Sequence, residues 1–430
     1  MGQIIQAEKI GALSKVSDSV VQLAFSIVNL GGQQYRPEDI QCDLTASGIG
    51  GLDTGSVAAS TKYNVYFSKL AGTTGLIASK SDSPSGVDYF SLVGYALTNS
   101  SSIIEDVYVV GSSDDIEKKN AIINGAMEFW QRETDFNPAA SNSYTADRWK
   151  TRLLSGGISY RVTREVSNGI ARLGAYKTSV GASSDQIQIT QQIEYENFKH
   201  LVGKYATVSF KAFAMTNLPD DFFVYMYYST AQDSNITWGG GGSSLIDVIS
   251  VPISSSMEMH TCYFKIPSDA KSLTLQFGYN KSDLSLQEGF SICDVGIYEG
   301  VLDNPEFIRF SKSYIEELVA CQRYYEKSTS LGVYPKDGGQ GMEFAGTISG
   351  TAQDGWIARV NYKVTKRYTC GVTVYDEAGN INRISRWQSG SGFNDVTANV
   401  NWKHSDAMSL IYYTGSASGL EFNWVADAEF

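Results

Sequence analysis

Short runs in which apolar and polar residues alternate, separated by glycine- and serine-rich turns, constrain the fold of this chain more than any other feature. Val21, Leu23, Phe25 and Ile27 alternate with Gln22, Ala24 and Ser26, the period-two pattern of a half-buried strand. Leu273, Leu275, Phe277 and Tyr279 repeat it, as do Val208, Phe210 and Ala212. Further strand-like runs fall at 63–70, 75–79, 89–97 and 103–109, at 157–164, 186–193, 222–228, 260–266 and 290–298, and at 356–364, 367–375, 410–413 and 420–425. Turn formers stand between them: Gly31-Gly32, Gly48-Ile49-Gly50-Gly51 and Ser83-Pro84-Ser85-Gly86. One stretch breaks the period. Tyr314, Leu318, Cys321 and Tyr325 share one helical face within 311–328, with Ser311 or Ser313 available as the cap. No segment repeats at a fixed interval, which excludes a long β-helix of stacked coils.

The expected fold is therefore all-β and multi-domain: a small N-terminal β module, a central jelly-roll-like β-sandwich, one linking helix and a C-terminal β domain. At 430 residues the chain exceeds one hydrophobic core. The boundaries read as an N-terminal arm at 1–18, the β module at 19–110, a polar linker at 111–119, the jelly roll at 120–310, the helix at 311–328 and the last domain at 329–430.

Charge and cysteine usage narrow the function classes. A formal net charge of −12 argues against nucleic acid, whose phosphates need basic surface. The 5 cysteines are scattered and form no C-x-x-C pair; Cys262, Cys293 and Cys321 sit among apolar neighbours and fit buried small hydrophobes, in a protein folded under reducing conditions. The opening Met1-Gly2-Gln3-Ile4-Ile5 lacks the charged and apolar regions of a secretion signal. No apolar run reaches the length that crosses a bilayer, so membrane insertion is not expected. A protein of this kind working outside the cell would arrive by lysis or within a particle.

Chemistry-bearing patterns are sparse. His200, His260 and His404 have no metal-binding spacing, and no nucleophile elbow or phosphate loop is present. The reading is no catalytic residue, no metal and no cofactor. Two acid pairs, Glu133/Asp135 and Glu194/Glu196, raise the glycosidase question, because i, i+2 on a strand places two carboxylates on one face about 7 Å apart. Solvent-facing charges give the same spacing, and the enzyme reading is rejected. Trp238 opens Trp238-Gly239-Gly240-Gly241-Gly242, and Trp387 stands in Arg386-Trp387-Gln388-Ser389-Gly390. Each is a candidate for stacking on a sugar ring, or else folds back on a sheet or between subunits. Trp130 and Trp149 are read as core. Arg132, Asp147 and Arg148 are either a buried set fixing a turn or solvated.

Two phrases bracket the middle of the chain. The first runs Asn124-Gly125, Phe129-Trp130-Gln131-Arg132 and Tyr144-Thr145-Ala146-Asp147-Arg148-Trp149; the second runs Glu316-Glu317-Leu318 and Cys321-Gln322-Arg323-Tyr324-Tyr325. Between them stand Gln192-Ile193-Glu194, Leu201-Val202-Gly203-Lys204 and Asn304-Pro305-Glu306-Phe307. This ordered set resembles bacteriophage tail-fibre and receptor-binding proteins that carry a carbohydrate-binding-module-like β-sandwich. Leu30-Gly31-Gly32-Gln33-Gln34-Tyr35 is similar to the N-terminal module of some of them. The resemblance implies a virion component made in host cytoplasm. It would be a homotrimer, attached to other tail or baseplate proteins through its N-terminal region and recognising a bacterial surface glycan without catalysis. The alternatives are a structural virion adaptor or decoration protein and a glycan-depolymerising tailspike.

Overall fold

The computed structural model describes residues 3–4, 13–24, 28–30, 33–37, 39–81, 83–109, 119–154, 159–179, 186–215, 222–234, 242–279, 287–302, 305–311, 313–337, 343–345, 356–388, 392–412 and 419–430. The fold is all-β. It divides into two compact units, Met1–Lys118 with Gly300–Leu302, and Lys119–Glu299 with Asp303–Phe430.

In the first unit, strands β1 (Gln3–Ile4), β7 (Lys62–Leu70), β8 (Thr73–Ser79), β9 (Tyr89–Thr98) and β10 (Ile104–Val109) form one sheet in which β7 and β10 both pair with β9. Strands β2 (Leu13–Lys15), β3 (Val20–Leu23) and β6 (Ile40–Asp43) form a second sheet, and β4 (Val28–Leu30) pairs with β5 (Gln33–Tyr35). Val21 and Leu23 are fully buried, as their alternation predicts, beside Val65, Phe67 and Leu76 in one core. Phe25 and Ile27, and the turn at Gly31-Gly32, lie outside the described residues.

The second unit contains a two-layer sandwich. One layer has six strands, in the order β11 (Asp135–Phe136), β13 (Tyr160–Ser167), β14 (Ile170–Lys177), β21 (Gly289–Glu299), β16 (Tyr205–Ala214) and β19 (Glu258–Lys265). The other has five, in the order β12 (Lys150–Leu154), β15 (Gln186–Ile193), β20 (Ser272–Tyr279), β17 (Phe222–Ser229) and β18 (Ser244–Val251). All pairs within both layers are antiparallel. Val208, Phe210 and Ala212 from one layer meet Leu273, Leu275, Phe277 and Tyr279 from the other in a single core. Apolar burial of this kind is worth about 25 cal/mol per Å² and drives the two layers together.

Two α-helical pieces interrupt the strands among the described residues. The turn α1 (Tyr195–Phe198) follows β15. Helix α2 (Tyr314–Gln322) is shorter than the periodicity over 311–328 implies. Ser313 caps it in a capping box with Glu316. After Gln322 the chain turns into β22 (Tyr325–Lys327), which pairs with the last strand, β30 (Gly419–Asp427). Tyr325 thus belongs to a strand, because ladder pairing with β30 overrides the helical period there.

The C-terminal segment builds a sheet around β30, which pairs with β22, β23 (Glu343–Ala345), β25 (Gly371–Tyr375) and β26 (Arg383–Gln388); β27 (Gly392–Thr397) extends β26. A three-stranded sheet runs β24 (Trp356–Asn361), β29 (Ala407–Tyr412) and β28 (Asn399–Lys403). Val374, Ile384, Met408, Leu410, Phe422 and Trp424 fill the core of this segment.

Candidate functional site

The two bracketing phrases, about 190 residues apart in sequence, fold into one buried joint. Asn124 is the hub of the first, and its φ of 57° lies in the left-handed region that Asn tolerates. Its side-chain amide donates to the Phe129 (2.9 Å) and Asp147 (3.0 Å) carbonyls, and its own carbonyl accepts from Trp149 Nε1 at 3.0 Å. Gly125 has no room for a side chain: a Cβ there would sit 2.0 Å from the Val295 carbonyl oxygen. From the second phrase, Glu317 Oε1 accepts the Asn124 N–H at 2.6 Å and Oε2 accepts Ser311 N–H at 2.8 Å. Burial pushes the Glu317 carboxyl up, and those two amides oppose the shift.

Charged groups close the joint. Arg148, with φ 71°, ion-pairs with Glu429, both side chains being almost fully buried. Its guanidinium lies 3.6 Å from the Tyr324 ring centroid. Arg132 lies 3.7 Å from the Tyr325 ring centroid and pairs with Asp427 at 3.2 Å. Glu194 takes Arg323 at 3.2 Å and Arg367 at 3.1 Å. Gln131 Nε2 bridges Asp147 Oδ2 (2.8 Å) and the Tyr325 carbonyl (2.9 Å). Trp130 and Trp149 are buried, as read from the sequence. The most recognisable residues of the chain therefore weld the sandwich to the C-terminal segment.

The joint carries a pH signature. Burial raises the Asp147 carboxyl to about 6, against an ordinary value of about 3.9. The folded state holds this proton more tightly, so the stability it contributes is fully present below about pH 4 and is lost as pH rises through 6. Wild-type melting temperature is expected to fall more steeply between pH 4 and 6 than that of Asp147→Asn, for a difference on the order of 2 kcal/mol. Parallel slopes in calorimetry would contradict this.

The other sequence candidates separate. Trp238 lies outside the described residues. Trp387 sits within β26, in register with Phe393 on one side and Gly419 on the other, rather than in a loop. Its glycine-rich neighbours 389–391 fall outside the described residues. Neither acid pair occupies a strand face. Glu133 precedes β11 and pairs with Lys336, while Asp135 pairs with Arg161 at 2.6 Å. Glu194 is the N-cap of α1 and Glu196 pairs with Lys199 at 2.6 Å. All five cysteines are free and buried, and burial pushes the Cys262 thiol up to about 12. Among the described residues no group of three or more His, Cys, Asp or Glu is placed to hold a metal.

A face that sequence reading missed brings aromatic and polar side chains together. Phe222, Val224 and Met226 of β17 enter the core, so Phe223, Tyr225 and Tyr227 project from the outer side of the five-stranded layer. Their rings form a ladder, with centroids 6.0 Å apart from Phe223 to Tyr225 and 6.2 Å from Tyr225 to Tyr227, the latter pair stacked. In register beside them on β20 stand Gly278, Gln276 and Thr274. Beyond these, β15 contributes Gln188, Thr190 and Gln192, and β12 contributes Arg152 and Lys150.

Gln276, Thr274 and Gln188 are only 2%, 6% and 3% exposed although they lie on an outer face, so neighbouring side chains cover them. Gln276 Nε2 and Thr274 Oγ1 are buried without a hydrogen-bond partner, and an unmet buried donor of this kind costs about 1–3 kcal/mol. Arg152 donates to Gln188 Oε1 at 3.1 Å. Burial lowers the proton affinity of Arg152 and raises that of Tyr225, and the two groups moderate each other. Aromatic rings, amides and one guanidinium lie together here, with no carboxylate in the rows named.

The signal for this face is in the sequence. Phe-Phe-Val-Tyr-Met-Tyr-Tyr over 222–228 is apolar or aromatic on both parities, which an antiparallel strand with one wet side does not need.

No family model matches the chain, and no curated protein matches it. Among solved structures it is similar to one described as "CBM4 structure and function", with 17% identity over 41% of this chain and 98% of that chain, at a TM-score of 0.28. It is similar to the family 11 carbohydrate-binding module of cellulosomal cellulase Lic26A-Cel5E of Clostridium thermocellum, with 11% identity over 39% of this chain and 98% of that one, at 0.27. A third likeness is to the enzymatically active domain of bacteriophage CBA120 tailspike protein 4, with 14% identity over 42% of this chain and 21% of that one, at 0.27. Likenesses this faint decide nothing about ligand or reaction. The sandwich rests on its own strand order and register.

Proposed function

We propose that the protein is a non-catalytic glycan-binding subunit of a bacteriophage fibre, and that the outer face of the five-stranded layer holds the sugar. The observation that carries this reading is the Tyr225–Gln276 row, where an aromatic ring stands beside a buried amide donor with nothing to bond. A pyranose offers both complements at once: an apolar C–H face for the ring ladder and hydroxyls for the amides. In this reading Trp238 and Trp387 are further glycan contacts, and the N-terminal region attaches the subunit to other virion proteins. The subunit works as a homotrimer, in which weak single sites gain avidity.

The full chain should bind intact cells of some bacterial strains and not others. Gln276→Ala should weaken that binding about tenfold, the worth of one or two hydrogen bonds, with an unchanged melting temperature. Binding to virion proteins but to no strain would favour the structural adaptor. Release of reducing ends from a polysaccharide would favour the depolymerase.

A further inference from the structure

A second face, in the C-terminal segment, pairs an exposed indole with a cation. Three tryptophans with described side chains, Trp130, Trp149 and Trp424, are at most 3% exposed, whereas Trp402 is 48% exposed. Trp402 lies on β28, in register with Ser409 on β29, which is in register with Arg359 on β24. Val360, Met408 and Leu410 enter the core, so Arg359, Ser409 and Trp402 share the opposite side of this sheet. Half-buried Ser409 forms a low floor between two taller exposed flanks, whose backbones stand about 10 Å apart across two strand spacings.

Arg359 spends only its Nε, which donates to Asn361 Oδ1 at 3.2 Å. Its two terminal nitrogens, the pair suited to gripping a carboxylate, have no partner among the described residues. Exposed Lys403 and His404 follow Trp402 in the chain, and Lys403, in register with Met408, belongs to the other side of the sheet. In a chain of net charge −12, the row thus sets one cation, Arg359, beside an exposed indole.

We propose that the Trp402–Ser409–Arg359 row binds a carboxylated sugar residue, separately from the sandwich face. The ring lies over Ser409 with its C–H face on the Trp402 indole, and its carboxylate meets the Arg359 terminal nitrogens. A neutral sugar would leave Arg359 unanswered, and a free carboxylate would leave the indole uncovered.

The test uses the full chain in affinity electrophoresis and calorimetric titration. The probes are polygalacturonate, polyglucuronate and polysialate, each beside its methyl-esterified form. The expected result is binding to at least one acidic polymer and not to its ester. Trp402→Ala and Arg359→Gln should each weaken it at least tenfold, with unchanged melting temperatures, while Tyr225→Ala leaves it intact. Failure to bind any acidic polymer, equal binding of the ester, wild-type affinity in Arg359→Gln, or loss in Tyr225→Ala would each overturn the proposal. Tyr225→Ala separates the two faces, so failure of the sandwich reading shows as retained neutral-glycan binding in that variant and leaves this result unaffected.

Discussion

Glu429→Ala is expected to destabilise the unit containing the sandwich by about 3–5 kcal/mol, the cost of stranding a buried charge. For a unit of this size that corresponds to a melting temperature lower by roughly 5–8 °C. The cause is specific. Arg148 is 1% exposed on its side chain, pairs with Glu429, and lies between Tyr324 and the Gln192 carbonyl. Without Glu429 its charge stays in a low-dielectric site. The double variant Arg148→Met/Glu429→Leu should recover much of the loss, since replacing both ions removes the uncompensated charge. Limited proteolysis of Glu429→Ala should cut first in the C-terminal segment, because Ala428 N–H on the Tyr324 carbonyl (2.7 Å) and the Tyr368 hydroxyl on the Glu429 carbonyl (2.9 Å) hold the terminus at the same joint. A single variant with wild-type melting would show that the joint does not depend on this pair.

Tyr225→Ala is the second large effect, and it should act on binding alone. The ring is half-exposed, stacks on Tyr227 and lies in register with Gln276. Removing a central aromatic anchor costs about 2 kcal/mol or more of binding energy, roughly a 30-fold loss of affinity. The side chain faces away from the core that Val224 and Met226 enter, so the melting temperature should move little. The measurement is calorimetric titration with a purified host polysaccharide, beside a melting curve of the same sample. A loss of affinity that tracks a loss of stability would place Tyr225 in the fold rather than in the site.

The strands were most legible where one face is dry. Leu273, Leu275, Phe277 and Tyr279 alternate and are all buried; β15 runs over the 186–193 its pattern delimits, and β16 and β20 contain the alternations that mark them. Strands that sequence reading passed over lack that contrast. Ile170–Lys177 carries Ala, Arg and Gly, weak strand formers held by pairing with β13 and β21. Ser244–Val251 is an edge strand with Leu245 and Val248 exposed, so no face of it reads as core. The bracketing phrases were legible as a unit, but not their purpose, because their partners Asp427 and Glu429 sit at the far end of the chain. The proposed binding face was hidden for another reason. Phe223, Tyr225 and Tyr227 fall in a run that is apolar or aromatic on both parities, and only the register with Gln276 and Gln188 shows that they share the outer face with polar side chains.

The most direct measurement is binding of the wild-type chain and Tyr225→Ala, side by side, to the surface polysaccharide of a bacterial strain that the wild-type protein labels. The account predicts micromolar or tighter binding by the wild type and a roughly 30-fold loss in the variant, with both proteins melting together. Equal affinity of the two would contradict it and move glycan recognition off the five-stranded layer.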